Sequence, residues 1–356
     1  MKKYNFSAGP CILPQEVLKK ASEAIVNLNG IDLSLIEISH RSKEFIEVME
    51  NARSLVKELL NLPKGYSVLF LQGGASLEFL MAAYNLMKVD GKAAYLDTGA
   101  WSSKAIKEAK LFGNVEIFAS SKDEGYNYIP KNYNVPTDTD YVHITSNNTI
   151  FGTQLKEFPK TNAPLVCDMS SDIFSREIDF SQFDLVYAGA QKNIGPAGTT
   201  IVIVKDEILG KTGRTIPSIL DYQVHISKDS MFNTPPVFAV YVSMLTLQWL
   251  KDLGGVKEVE KINNAKAALL YNEVDRNSLF KGFAAVEDRS NMNVTFNLTD
   301  ETHKAVFDKL WNDAGISGIK GHRSVGGYRA SIYNAMPTEG IQTLVDAMQE
   351  FEKQVS

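Results

Sequence analysis

The chain has 356 residues, 44% of them hydrophobic and 22% charged, with a net charge of −5. That length suits two domains of ~100–200 residues and a large core that needs no staples. The acidic balance argues against a nucleic-acid binder built on phosphate neutralisation, and the most apolar stretch, Val237 to Leu250, is shorter than the ~20 residues of a membrane span.

The opening MKKYNFSAGP has two lysines but no apolar run after them, so it does not read as a signal peptide. Cys11 and Cys167, the two cysteines, make no disulfide framework and suit a reduced, cytosolic protein. Phe45 to Leu62 has apolar residues at helical spacing and is predicted as an amphipathic helix ended by Pro63-Lys64-Gly65. Ser67 to Leu71 reads as a strand, Gln72 to Ser76 as a Gly-rich turn and Leu77 to Lys88 as a helix. The pattern recurs: a strand from Lys92 to Leu96, a helix to Lys110, then strands at Val115 to Phe118, Tyr141 to Thr145 and Leu165 to Cys167, the last running into Asp168. Leu185 to Ala188 and Thr200 to Val204 are two strands with a short loop between them, which implies one antiparallel strand in a mostly parallel α/β sheet. Val237 to Leu250 reads as a buried helix. After Gly254-Gly255 two helical segments flank short strands such as Met292 to Leu298 and Tyr328 to Ile332. The expected organisation is a large α/β domain over 16–254 and a smaller α+β domain made of 255–356 together with the N-terminal segment 1–15.

The strongest local signal is Tyr187-Ala188-Gly189-Ala190-Gln191-Lys192-Asn193-Ile194-Gly195-Pro196-Ala197-Gly198. Small residues on both sides let a backbone approach a ligand closely. A lysine in such a crowded site has a lowered pKa and becomes a nucleophile able to form a Schiff base with pyridoxal phosphate (PLP). PLP also needs a carboxylate against its pyridine nitrogen. Asp168 lies at the end of a strand, where α/β sheets bind ligands, although an aspartate there also suits capping a turn. Gly73-Gly74-Ala75-Ser76, where a strand feeds a helix, suits the cofactor phosphate or is a plain tight turn. Trp101 suits a stacking platform for the ring, or a core position. Two basic clusters stand out, Ser39-His40-Arg41 and Gly321 to Arg329, with His322, Arg323 and Arg329. They suit a substrate with two or more anionic groups, or solvated surface charge.

With these residues in place, the chain resembles the phosphoserine aminotransferases, PLP enzymes of fold type I in the class V aminotransferase group. The resemblance is carried by NFSAGP at Asn5 to Pro10, SHRSKEF at Ser39 to Phe45, YAGAQKNIGPAG at Tyr187 to Gly198, PSILDY at Pro217 to Tyr222, MFNTPP at Met231 to Pro236 and GHRSVGGYRASIYNAMP at Gly321 to Pro337. It implies one PLP per subunit, covalent to Lys192, with Asp168 on the pyridine nitrogen, Trp101 stacked on the ring and Thr149 bonded to its hydroxyl. The PLP phosphate would be held by Ala75, Ser76 and Gln191, and by Asn233 and Thr234 from the other subunit of a homodimer with composite sites. Arg329 would take the substrate α-carboxylate, and His40, Arg41, His322 and Arg323 the distal phosphate or carboxylate. No metal is implied. Some members carry a basic residue at the position of Ser76 and a serine at that of Ala8.

The implied reaction exchanges an amino group between glutamate and 3-phosphooxypyruvate, giving 2-oxoglutarate and O-phosphoserine in serine biosynthesis, and in many relatives also serves a phosphorylated hydroxythreonine on the way to pyridoxine. Two alternatives stand beside it. A cysteine desulfurase shares the fold but needs a mobile nucleophilic cysteine, whereas Cys167 falls in a predicted strand and Cys11 near the N-terminus. A non-enzymatic α/β binding protein would need neither the lysine nor the aspartate at this edge of the sheet.

Overall fold

The computed structural model describes residues 3–323 and 325–355. A short strand, β1 (Tyr4–Asn5), precedes two helices, α1 (Gln15–Val26) and α2 (Lys43–Leu59). Then strands and helices alternate through β2 (Tyr66–Leu71), α3 (Gly74–Leu86), β3 (Lys92–Asp97), α4 (Ala100–Ala109), β4 (Asn114–Ser120) and β5 (Tyr141–Thr145). A small hairpin, β6 (Asn147–Asn148) and β7 (Thr153–Gln154), leads to β8 (Leu165–Asp168), β9 (Leu185–Gly189) and β10 (Thr200–Lys205). Helices α5 (Tyr222–Ser227), α6 (Val237–Asp252) and α7 (Gly255–Arg276) follow. The chain ends with β11 (Phe280–Gly282), β12 (Asn293–Leu298), α8 (Lys304–Asp313), β13 (Ile316–Ser317), β14 (Tyr328–Ser331) and α9 (Thr338–Val355).

Seven strands form the main sheet in the order β2-β10-β9-β8-β5-β3-β4. β10 runs antiparallel to both neighbours and the other pairings are parallel, which agrees with the expected single reversal. The strands read as continuous apolar runs because both faces are covered. Residues such as Val68, Phe70, Val142, Cys167 and Ile203 join one core with α2 and α6. Their neighbours Leu69, Tyr95, Tyr141, Val166, Tyr187 and Val202 join another with α3 and α4. A third core unites α7, α8 and α9 with the antiparallel sheet β11-β12-β14, and Phe6 and Ile12 from the N-terminal segment belong to it. β1 pairs in parallel with β13.

Several boundaries differ from the periodicity. The helix expected from Phe45 to Leu62 runs from Lys43 to Leu59, because the Ser42 side chain accepts the Phe45 N–H and starts it earlier. The last three residues of that window, Leu60, Asn61 and Leu62, lie beyond the helix, with Leu60 buried against the same core. The helix expected from Leu77 starts at Gly74, directly after Gly73. Three helices rather than two accompany the smaller sheet. No described helix is long and apolar enough to cross a membrane.

Candidate active site

Because β2, β3, β5, β8 and β9 run in one direction, their carboxyl ends share one edge of the sheet. Asp168 ends β8, and Lys192 lies three residues beyond β9. Trp101 opens α4 after β3, Thr149 sits in the β6–β7 hairpin after β5, and Ala75 and Ser76 open α3 after β2. The chemistry-bearing residues therefore collect where such sheets bind ligands.

Local hydrogen bonds hold this edge. Asp97 accepts from Ser102 Oγ at 2.9 Å, Ser103 Oγ at 2.8 Å and Tyr126 OH at 3.1 Å, fixing the turn that carries Trp101. A side chain on Gly99 would meet Asn148 Oδ1 at 2.7 Å, so only glycine lets this turn approach the hairpin. Trp101 Nε1 then donates to Thr149 Oγ1 at 2.9 Å. Arg329, on β14, donates to the Thr149 carbonyl at 3.3 Å.

Lys192 is half-buried. Burial lowers its pKa, the Asp168 carboxylate opposes this and the Arg329 guanidinium reinforces it. Asp168 is 5% exposed, and burial raises its carboxyl above the usual range against the charge of Lys192 and the N–H of Ser170, which donates to Oδ1 at 2.9 Å. The His322 pKa is lowered by burial and by the cations Arg329, Arg323 and Lys104. Lys104 Nζ lies 4.3 Å from the centre of the Trp101 ring. These contacts and fields link Asp168, Lys192, Arg329, Thr149, Trp101, His322 and Arg323 into one site. Ser324 of the second basic cluster lies outside the described residues.

Other expected residues stand at its margin. The Gln191 side chain lies beside Gly189, and the Gln191 carbonyl accepts from Cys11 N at 3.1 Å. His40 and Arg41 precede α2. Arg41 is exposed, with its backbone N–H on Ser39 Oγ at 3.1 Å, and His40 Nε2 is buried without a hydrogen-bond partner among the described residues. Asn233 and Thr234 are exposed, and in their own chain the Thr234 carbonyl accepts from Gln72 Nε2 at 2.8 Å.

Sequence reasoning missed three features. Lys104 adds a cation that nothing in its helical surroundings distinguishes from a solvated lysine. Cys11 Sγ donates to the Lys192 carbonyl at 2.6 Å, and burial pushes the thiol up to about 12. Burial also holds the Cys167 thiol far above its ordinary value, so neither cysteine is poised as a nucleophile. Asp172, fully buried, accepts from Ser146 Oγ, from Gln154 Nε2 at 3.2 Å and from Arg176 at 3.1 Å.

The residues fit PLP. Gly73 and Gly74 both take left-handed φ, and nothing lies within 4 Å of where a Gly74 side chain would be, which leaves room beside the free N–H groups of α3 for a phosphate. Asp168 offers a buried carboxylate. Arg329 Nε is buried without a hydrogen-bond partner among the described residues, a donor available to an anion.

The family model of the class V aminotransferases matches residues 3–344. The chain is 68% identical to the phosphoserine aminotransferase of Flavobacterium psychrophilum over 356 residues, covering 100% of both chains. Among solved structures, the phosphoserine aminotransferase from Bacillus circulans subsp. alkalophilus superposes with a TM-score of 0.97 at 43% identity, covering 100% of this chain and 99% of that one. A PLP-bound phosphoserine aminotransferase from Trichomonas vaginalis gives a TM-score of 0.93 at 34% identity over 98% of this chain and 100% of that one.

Proposed function

The chain belongs to the phosphoserine aminotransferases of class V, PLP-dependent transaminases, and from that premise we propose that it moves the amino group of glutamate to 3-phosphooxypyruvate, giving 2-oxoglutarate and O-phosphoserine for serine biosynthesis. The observation that carries this reading is Lys192: a half-buried amine within the fields of two carboxylates, Asp168 foremost and then Asp172, and of the Arg329 guanidinium.

Lys192 would hold PLP covalently, one per subunit, and the cofactor would supply an electron sink for the bond broken at the substrate Cα. The Lys192 amine would take and return the proton at the substrate Cα, and its lowered pKa leaves more of the amine free to accept that proton. Asp168 keeps the ring nitrogen protonated. Trp101 would hold the ring by its face, and Thr149, whose oxygen already accepts from the indole, would offer its own O–H to the ring hydroxyl. Arg329 takes the α-carboxylate. Ala75, Ser76 and Gln191 hold the cofactor phosphate with Asn233 and Thr234 of a second subunit, in a homodimer. His40, Arg41, His322 and Arg323 take the distal anion. This set recognises a phosphate on a short amino acid, so we extend the proposal to the phosphorylated hydroxythreonine of pyridoxine biosynthesis, and we place the enzyme in the cytoplasm.

Borohydride reduction of the purified holoenzyme, followed by peptide mapping, should put the pyridoxyl group on Lys192. Lys192→Ala should fold and lose all turnover of glutamate with 3-phosphooxypyruvate. Turnover retained in that variant, or a pyridoxyl group on another lysine, removes the assignment.

A further inference from the structure

Three consecutive backbone carbonyls, those of Ile173, Phe174 and Ser175, are each met by the side chain of a different asparagine. Asn193 Nδ2 donates to Ile173 O at 3.1 Å, Asn334 Nδ2 to Phe174 O at 3.0 Å and Asn263 Nδ2 to Ser175 O at 3.0 Å. The three asparagines are also joined to one another: the Asn334 N–H donates to Asn193 Oδ1 at 3.0 Å, and Asn263 Nδ2 to Asn334 Oδ1 at 2.8 Å. All three are buried, at 6%, 7% and 1% exposure for Asn193, Asn334 and Asn263.

The carbonyls are available for a local reason. After Asp168 the chain winds into a turn, with the Ile173 N–H on the Met169 carbonyl at 3.0 Å. Phe174 then takes a left-handed φ of 60°, which ends the winding, and no backbone N–H among the described residues meets the carbonyls of Ile173, Phe174 and Ser175. Buried carbonyls need donors, and each donor comes from a part of the chain that carries or supports the reaction. Asn193 follows Lys192. Asn334 lies five residues beyond Arg329. Asn263 is on α7, where Lys266, on the same face of the helix, donates to the carbonyls of Ile332, Tyr333 and Met336 at 3.1, 2.8 and 3.1 Å. The segment they grip begins at Asp168.

We propose that Asn193, Asn334 and Asn263 are positioning residues that set the spacing of Lys192, Asp168 and Arg329 for amino transfer. The proposal rests on the functional reading above. The proton that Lys192 moves is on the carbon whose carboxylate Arg329 holds, so the distance between these two side chains enters the barrier directly. A misplacement of about 1 Å can cost on the order of a hundredfold in rate. One asparagine between them, bonded to both sides, is a short and stiff link. A purely structural role would instead lower stability and leave the chemistry of the folded protein as it was.

The test uses the PLP-loaded holoenzyme and Asn193→Ala, which removes both the Ile173 bond and the acceptor for Asn334. Measured are the melting temperature, kcat and KM with glutamate, and the pH midpoint of the visible absorption band of the PLP bound to Lys192. We expect kcat to fall at least roughly tenfold, more than KM rises, and the midpoint to move, because Lys192 then sits at altered distances from Asp168 and Arg329. If Asn193→Ala gives no folded protein, Asn263→Ala, which leaves the neighbour of Lys192 untouched, is measured in its place with the same expected directions. A folded, loaded variant with wild-type kcat and midpoint, whatever its melting temperature, overturns the inference. Absence of a trappable pyridoxyl group on Lys192 in the wild-type protein would instead remove the functional reading, so the two failures are distinguishable.

Discussion

Trp101 Nε1 donates to Thr149 Oγ1 at 2.9 Å, joining the turn after β3 to the hairpin after β5. The bond orients both side chains. Thr149 Oγ accepts from the indole, so its hydroxyl proton is free to point at a second acceptor, and the indole plane is held at one angle. Thr149→Val removes both functions, while Thr149→Ser keeps them. An unmet polar group costs about 1–3 kcal/mol, and about 1.4 kcal/mol is a tenfold change in affinity. PLP affinity, read by spectrophotometric titration of the apoenzyme, should therefore fall about tenfold or more in Thr149→Val and stay near wild type in Thr149→Ser. Equal affinity in all three proteins would show that the hydroxyl has no part in holding the ring.

A composite site has a signature that a self-contained one lacks. Asn233 and Thr234 are exposed in their own chain, with the Thr234 carbonyl on Gln72. If the partner's cofactor phosphate is their target, subunits carrying Lys192→Ala and subunits carrying Asn233→Ala with Thr234→Ala should complement each other when mixed and reassembled. Random pairing into dimers leaves one site in every mixed dimer intact, so roughly a quarter of wild-type activity should return. No recovery above the two parents would mean that each subunit supplies its own loop.

Arg41 is exposed, and its backbone N–H donates to Ser39 Oγ at 3.1 Å. If substrate and a second subunit bury Arg41, loss of one partner of the resulting charge pair costs about 2–5 kcal/mol, so Arg41→Ala should lower kcat/KM with O-phosphoserine at least roughly tenfold. With alanine as amino donor, which has no distal anion, the loss should be small. Equal proportional losses would assign Arg41 to folding or to PLP.

His143 is buried in the main sheet, stacked on Tyr95 at 4.7 Å between ring centres, with Nε2 and Tyr187 OH 2.7 Å apart. Burial pushes its pKa down to about 3 from an ordinary 6.5. The unfolded chain takes up a proton that the folded chain refuses, so this residue makes stability fall as pH drops through 6.5 and stops adding to the fall below about 3. The slope is about 1.4 kcal/mol per pH unit. Denaturant titrations of His143→Phe across that window should show a shallower acid loss than wild type, even if the variant is less stable at neutral pH. Parallel pH curves would mean that the imidazole charges in place.

Local pattern was enough for much of this protein. Apolar runs covered on both faces marked the strands, and the short loop between Leu185–Ala188 and Thr200–Val204 marked the one reversed strand. The glycine- and proline-rich turn singled out Lys192, and the strand end singled out Asp168. Each of these signals lies within about ten residues of chain, where sterics and periodicity act directly. The tertiary structure decided what the chain path alone brings together. Thr149 sits against Trp101 because a glycine at position 99 lets two turns meet. Cys11 lies on the Lys192 carbonyl across 181 residues of sequence, and the two-residue strands of the β6–β7 hairpin are too short to show a periodicity, whereas α1, with Val17, Ala21 and Ala24 on its buried face, carried a helical spacing that the sequence reading passed over. Asn193, Asn263 and Asn334 have no distinguishing pattern in sequence, since a lone asparagine reads as a turn or a surface residue. Their meaning comes from three adjacent carbonyls left over where Phe174 ends a turn, and a buried carbonyl must find its donor wherever the fold supplies one.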